Sequence, residues 1–562
     1  MSFRASFRPA EGPSPPPPPA ANPSYLAAPE RYEKFKEGGW QGLACPEKWG
    51  GQGMPISLSL FQSEVTATAN WTWTMYPGLS KGAINTILAH GNDALQAKYL
   101  PRLVSGEWTG TMCLTEPHCG SDLAQVSTEA VPTADGKYAI SGTKIFISCG
   151  EHDMTSNIVH CVLARLPGAP PGIKGISLFA VPKFKVGEDG TLTDQLNGAT
   201  VGRIEHKMGC HGSSTCELIF DRSVGELIGT PHKGMSHMFT FINTSRMGTA
   251  VQGLAAAEGS FQNALAYAKE RGSMRSLSGV KEPSKPADPI IVHPSVRSLL
   301  LTQKCIAEGG RAMIYDCAFL GDDEAEAKAN GDEAKAKQIE DRLGFLTPIL
   351  KGFLTELGNE AAKHGIQVYG GHGYIASNGQ EQIARDVRIA SVWEGTTQIQ
   401  ALDLLGRKIM LQKLKPVNHH LSRLRAQALS SIFSPASTTH GELRKHGWQL
   451  LNEALNWQYL TLRIAAKAVS NKDCIGIAAE PYLMLAGYVS LAEQWLRMES
   501  VAAKALEKNP TGPEADFYKG KLLAAKFYFE NMLPRTKSLS PIILASPDSL
   551  MKITPAQFAN TV

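Results

Sequence analysis

One carboxylate stands where it could do acid–base work. Glu394 lies in the run Ser391-Val392-Trp393-Glu394-Gly395-Thr396-Thr397-Gln398-Ile399-Gln400. Thr397 and Gln400 form a capping-box pattern that predicts a helix with an apolar face of Ile399, Leu402, Leu405 and Ile409. Glu394 then sits on the loop before that helix, and Gly395 allows a ligand close to the backbone. Such a carboxylate is either a general base or a charge that complements the helix dipole. A second segment, Met112-Cys113-Leu114-Thr115-Glu116-Pro117-His118-Cys119-Gly120-Ser121-Asp122, combines hydroxyls, a Glu-Pro turn and a glycine. It reads as a surface turn or as a loop aiming N–H and O–H groups at a polar ring or phosphate. Trp49-Gly50-Gly51-Gln52-Gly53 and Gly370-Gly371-His372-Gly373 both fail the GxGxxG fingerprint, and no glycine run leads into a P-loop Lys-Ser/Thr. A Rossmann or P-loop enzyme is disfavoured.

The elements that must position these segments follow from composition and period. The chain has 562 residues, 43% hydrophobic and 19% charged, enough apolar material for several packed units. Lys plus Arg is 56 against 52 Asp plus Glu, a net +4 that marks neither a nucleic-acid nor a membrane-surface binder. Ten scattered cysteines without a CxxC pair predict buried thiols in a reducing compartment, cytoplasm or mitochondrial matrix. No run reaches the roughly 18–20 apolar residues of a membrane span, and Tyr482 to Ala492 reads as a buried helix.

Residues 1–29, with five consecutive prolines from Pro15 to Pro19, read as a disordered leader. A helical domain is expected over 30–111 and a β domain over 112–225, with short strands at 136–142, 144–148, 159–163, 176–181 and 216–220. A helical bundle over 226–415 and a helical extension over 416–562 complete the reading. The Asp/Glu/Ala/Lys-rich stretch 322–342, with Gly331 in the middle, predicts a solvated helix pair. The expected fold class is mostly α with a central β domain.

Five motifs in order carry a resemblance. They are Thr115-Glu116-Pro117 with Gly120-Ser121-Asp122, and Gly142, Lys144 and Phe146-Ile147-Ser148. Lys207-Met208-Gly209 with Ser213 to Leu218 follows, then Gln367-Val368-Tyr369-Gly370-Gly371 with Arg385-Asp386, and finally Glu394 to Gln400. Over about residues 37–410 the chain resembles the acyl-CoA dehydrogenase family, an FAD-containing fold with helical, β-barrel-like and four-helix-bundle domains. The resemblance implies oxidation of an acyl-CoA thioester to its trans-2-enoyl-CoA. Glu394 would be the catalytic base, its pKa raised by burial under the acyl chain. The thioester oxygen would be held by the Glu394 main-chain N–H and a flavin ribityl hydroxyl.

Carried over by position, Met112, Leu114, Thr115, Ser121, Phe146, Ile147 and Ser148 would line the flavin. Arg271, Gln367, Gly370, Gly371, Thr396, Thr397 and Gln398 would hold the rest of FAD, partly across a subunit interface. Ser121, Asn243, Arg246 and Gly395 would meet the acyl-CoA, with Asn243 standing where the family has Asp. Arg385-Asp386 reads as a structural ion pair, His372 and His211 as loop polars, and no metal is expected.

The family's Arg-x-x-Phe-Gly is here Arg271-Gly272-Ser273-Met274-Arg275, followed by an insert up to Arg297. With the extension after Lys415, this resembles the longer branch of the family, which includes 3-methylmercaptopropionyl-CoA dehydrogenases. That branch has more helix before its flavin loop, so the first helices are expected to be missing here. The implied substrate is 3-(methylthio)propanoyl-CoA or a short or medium fatty acyl-CoA. The implied partners are an electron-transfer flavoprotein or similar acceptor and further copies of the chain, as a homodimer or homotetramer. The alternatives are an acyl-CoA oxidase, a non-catalytic relative, and a flavin-containing nucleic-acid-binding protein on the same fold.

Overall fold

The computed structural model describes residues 28–436 and 440–558. The expected leader lies almost wholly outside the described residues. α1 (Ala28–Glu37), α2 (Ile56–His90) and α3 (Asp93–Val104) form the first helical layer. Asn92 caps α3 by accepting from the Leu95 N–H at 2.8 Å. α2 is two helices run together, because Asn70 leaves helical geometry at φ −162°, ψ 90°.

Nine strands follow among the described residues: β1 (Trp108–Cys113), β2 (Glu129–Pro132), β3 (Tyr138–Ser148), β4 (Asn157–Arg165), β5 (Ile176–Pro182), β6 (Phe184–Val186), β7 (Leu192–Leu196), β8 (Ala199–Ile204) and β9 (Thr215–Leu227). Strands β4, β2, β3, β9 and β5 pair in turn, and β5 pairs back onto β4, so the sheet curls into a closed path with β1 and β8 added to it. Closure leaves few bare edges. The two short strands expected at 136–142 and 144–148 are one strand, β3. It is bent by irregularities between Ile140 and Gly142 and between Lys144 and Ile147. The second places Phe146 at φ 60°, a left-handed conformation that a bulge can absorb.

Three long helices make the bundle: α4 (Gly234–Glu270), α5 (Pro294–Ala329) and α6 (Glu333–Tyr369). The acidic-and-lysine stretch is the expected helix pair, α5 turning into α6 at Asn330-Gly331-Asp332. The insert before α5 is an ordered loop wound on Asp288, which accepts from the N–H groups of Ser276, Lys281 and Glu282 and from Arg275.

α7 (Gln380–Arg388) and α8 (Thr397–Leu402) flank the Glu394 loop. Thr396, rather than Thr397, caps α8, accepting from the Ile399 N–H at 3.2 Å. The apolar face also differs from expectation. Leu402 is 43% exposed while Leu404, Leu405 and Ile409 are buried. The chain switches to π winding over Asp403–Met410, and the extra residue per turn moves the phase.

Beyond it, α9 (Lys415–Ile432), α10 (Gly441–Ser470), α11 (Asp473–Lys508), α12 (Pro513–Phe527) and α13 (Thr536–Ile543) pack back on the bundle. A single apolar cluster runs from Leu254, Ile306 and Phe353 into Trp457, Leu491, Trp495 and Phe529. Trp495 Nε1 donates to the Cys305 carbonyl at 3.2 Å, and Arg535 grips Glu360 through two bonds of 2.8 Å. α11 is long and apolar enough to cross a membrane by length and composition, yet most of its apolar stretch, Tyr482 to Ala492 included, is inside this core. No cysteine is in a disulfide; nine are buried and Cys474 is partly so.

Candidate active site

The Glu394 loop is held by two side chains. Gln400 Nε2 donates to the carbonyls of Glu394 at 3.0 Å and Gly395 at 3.3 Å. Lys351 Nζ, from α6, donates to the Gly395 carbonyl at 2.6 Å. Glu394 itself has φ 54° and Gly395 φ 85°. Glycine is required by that conformation, and a Cβ there would also stand 2.7 Å from Gln400 Nε2 and push aside the amide that holds the loop. The loop's carbonyls are engaged, whereas no described residue accepts from the Glu394 N–H.

Glu394 is half-buried as a residue, with its carboxyl group the withdrawn part, and that group makes no hydrogen bond or ion pair among the described residues. Burial pushes its pKa up to about 7, against the opposing pull of Arg246 and then Lys351. Both cations are shifted the other way. Burial lowers Arg246, which Asp403 and then Glu394 partly restore, and burial lowers Lys351 to about 8. Arg246 is 8% exposed and pairs with Asp403 at 3.2 Å, on the π segment that also takes Arg407. Arg246 Nε and Gln400 Oε1 are buried without a partner among the described residues. Two unmet polar atoms next to an unpaired carboxyl group describe a site built for a ligand rather than a closed core.

A second loop is braced from beneath. Glu116 is 2% exposed and accepts from Ser127 N–H (2.8 Å) and O–H (2.7 Å), Thr128 N–H (3.0 Å) and O–H (2.6 Å), and Lys144 (2.8 Å). Burial would raise its pKa, but Lys144 and the four other donors outweigh it and bring it down to about 2. Lys144 also donates to the Leu114 carbonyl, and the Ile145 N–H to that of Thr115. Five bonds to one carboxylate make Glu116 an anchor for the 112–121 loop against β3.

The predicted residues fall into three groups. Met112, Leu114, Thr115 and Ser148 are part-exposed, and Ser121 and Phe146 are exposed, on the loop and bulge that Glu116 joins. Ile147 is turned into the β core at 2% exposure, so only its main chain is available. Glu394, Gly395, Arg246 and Thr396 to Gln398 form the second group. There Thr397 donates to Glu356 at 2.5 Å, and exposed Gln398 donates to Glu480 at 2.9 Å. Arg246, assigned with Asn243 to the acyl-CoA, is buried beside the carboxyl group, while Asn243 is exposed.

Arg271, Gln367, Gly370 and Gly371 form the third group, all exposed, where Tyr267 and Tyr369 stack at 4.2 Å. Arg271 lies 25 residues beyond Arg246 along α4, about 37 Å at ~1.5 Å per residue. The expected Arg385–Asp386 pair does not form. Arg385 pairs with Glu381 one turn back, and Asp386 accepts from the Cys210 N–H at 2.6 Å, since neighbours on a helix point apart. His372 meets the Tyr267 hydroxyl of α4, and His211 the Lys207 carbonyl.

Sequence reasoning missed Lys351, whose position in an apolar helix gave no signal. It also missed the pair Trp71 and Trp393, whose rings meet edge-on with centroids 6.5 Å apart. A cavity of about 1060 Å³ lies not at Glu394 but beyond Trp71, between α2, α4, α5 and α7.

The chain belongs to the acyl-CoA dehydrogenase family. Residues 22–107, 111–223 and 232–410 match that family's N-terminal, middle and C-terminal domains, and 425–554 match an acetyl-CoA dehydrogenase C-terminal-like domain. The 3-methylmercaptopropionyl-CoA dehydrogenase of Ruegeria pomeroyi is 38% identical over 537 residues, 92% of this chain and 86% of that one. The broad-specificity linear acyl-CoA dehydrogenase FadE5 of Mycobacterium tuberculosis is 33% identical over 546 residues, 94% of this chain and 88% of that one. An acyl-CoA dehydrogenase from Bacillus anthracis, solved in complex with FAD, superposes with a TM-score of 0.75 over 94% of this chain and 85% of that one. At 21% identity that likeness speaks for the fold alone.

Proposed function

We propose that the chain oxidises an acyl-CoA thioester to the trans-2-enoyl-CoA, with FAD as cofactor and Glu394 as the base that removes the α proton. The observation that carries this is an unpaired carboxyl group, lifted to about 7, beside an unengaged main-chain N–H. A base is most useful when its pKa lies near the working pH. The N–H is free to donate to a thioester oxygen, where charge develops as the proton leaves. Buried Arg246 and Lys351 favour the ionised carboxylate without quenching it in a bond.

The residues present fit an FAD. Phe146 is 59% exposed on a strained bulge beside the part-exposed hydroxyls of Thr115 and Ser148, a surface for a flat ring and its polar edge. A Cβ at Gly370 or Gly371 would meet nothing within 4 Å, leaving that backbone open to a phosphate or ribose. When bound, the flavin supplies the acceptor for the β hydride. The distance between the Arg271 group and Glu394 supports a dimer in which Arg271, Gln367, Gly370 and Gly371 serve a second copy's cofactor. An electron-transfer flavoprotein is the acceptor in this reading.

The acyl part is short. Trp393 and Trp71 stand between Glu394 and the large cavity, which begins on α4 at Gln252, about 9 Å beyond Arg246 at ~1.5 Å per residue. Both indole N–H groups lack partners among the described residues, so the wall is aromatic but not wholly apolar, which suits a butyryl or methylthiopropionyl tail. Anaerobic addition of propionyl, methylthiopropionyl, butyryl, octanoyl and palmitoyl thioesters to the yellow protein tests the reading. Bleaching by the short members supports it. No bleaching with any of them, in protein carrying stoichiometric FAD, rejects it.

A further inference from the structure

Lys351 is fully buried on α6. A buried ammonium normally has a carboxylate partner, as Lys144 has Glu116, because desolvation is otherwise uncompensated. Lys351 has no ion pair within 4.0 Å among the described residues, and its one hydrogen bond is to the Gly395 carbonyl. Apolar residues of similar volume often replace such charges at no loss of stability. The amine is therefore unexplained by packing, and it is joined to the peptide unit that follows the base.

We propose that Lys351 is a positioning residue for Glu394: its hydrogen bond fixes the peptide after the base, and its charge holds the carboxylate ionised once substrate has displaced water. The proposal rests on the reading of Glu394 as the base. The charges around the pair come from every side. Arg246 reaches in from α4 and Glu356 from Lys351's own helix. Asp403, Arg407 and Lys408 lie on the π segment behind Arg246, and Glu480 of α11 faces the exposed Gln398. Of these, only Arg246 and Lys351 act on Glu394, both favouring its ionised form. Arg246 is already committed to Asp403, whereas Lys351 has no competing acid in contact. The coupling runs both ways, since Glu394 is also the first influence opposing the fall in the lysine's own pKa.

The test compares Lys351→Met, Lys351→Gln and Lys351→Arg with the wild type, all loaded with FAD and matched by absorbance and melting temperature. In the Met and Gln variants the acid limb of kcat/KM for butyryl-CoA moves up by about one pH unit, so activity falls about tenfold at pH 6 and less at pH 9. Lys351→Arg restores most of the profile. A second readout is independent of turnover. Calorimetry of a non-oxidisable CoA alkyl thioether, in buffers of different ionisation enthalpy, shows the pH at which proton uptake on binding peaks moving up by about one unit in the Met and Gln variants. An unmoved acid limb and unchanged proton uptake overturn the proposal, as does a uniform loss at all pH values with no rescue by Arg. Should Lys351→Met lose FAD, the Gln variant decides the matter on the same criteria. Failure of the underlying reading looks different: Glu394→Gln would still bleach with butyryl-CoA.

Discussion

Two glutamates in this molecule are both withdrawn from water and have opposite fates. Glu116 accepts five hydrogen bonds and is held at about 2; Glu394 accepts none and rises to about 7. Each has a buried lysine close by. Lys144 bonds Glu116 directly at 2.8 Å, while Lys351 bonds the backbone next to Glu394 and leaves the carboxylate free. The difference is one of satisfaction rather than burial. A saturated carboxylate is structural, since proton affinity has been exchanged for hydrogen bonds. An unsaturated one retains that affinity and is available to a substrate.

The sharpest way to break the contrast is to neutralise the unsaturated member. Glu394→Gln should leave the protein folded and yellow and reduce anaerobic bleaching by about 10⁴-fold, because an amide cannot accept the proton. Stopped-flow absorbance of the flavin checks this. Removing the counter-charge of the saturated member should do the reverse. Lys144→Met leaves Glu116 buried without its partner and should cost about 3–5 kcal/mol, read by denaturant unfolding, with activity following the folded fraction. Between them, Gly395→Ala forces a Cβ against Gln400 at φ 85°. It should lower kcat/KM by roughly tenfold while FAD stays bound, an estimate of about 1–3 kcal/mol for strain at such a position.

The same contrast sets the pH response. With Glu394 titrating near 7, kcat/KM should rise about tenfold per unit below that pH and level off above it. Glu116 acts in the acid range. Its folded pKa lies below the ordinary glutamate value of about 4.5, so the stability it contributes is whole above about 4.5 and lost as pH falls toward about 2. Acid titration followed by tryptophan fluorescence should therefore show Lys144→Met with a weaker dependence in that window than the wild type. The smallest effect concerns the wall. Trp71→Ala should raise the octanoyl-to-butyryl ratio of kcat/KM by a few fold by opening the way to the cavity.

The sequence carried the Glu394 loop, the 112–121 loop and the alternation of helical and β blocks, because each is written in local residue order. What it lacked came from contacts over long separations. Lys351 is 44 residues from the carbonyl it holds, and Glu116 is tied to Ser127, Thr128 and Lys144 across a loop and a strand. The phase change at Asp403 was hidden because a π turn leaves no signature in a helical hydrophobic pattern. Arg385 and Asp386 are adjacent in sequence, and the helix turns them to different partners.

The shared interior of the bundle and the helices after Lys415 has an evolutionary corollary. At Gly487 any side chain would collide with Phe353, and Phe353 in turn fills the groove that Gly487 opens. Trp495 and the Cys305 carbonyl are similarly matched. Lineages carrying this tail cannot shed it by a single stop codon, because its loss would bare a broad oily face on the catalytic half.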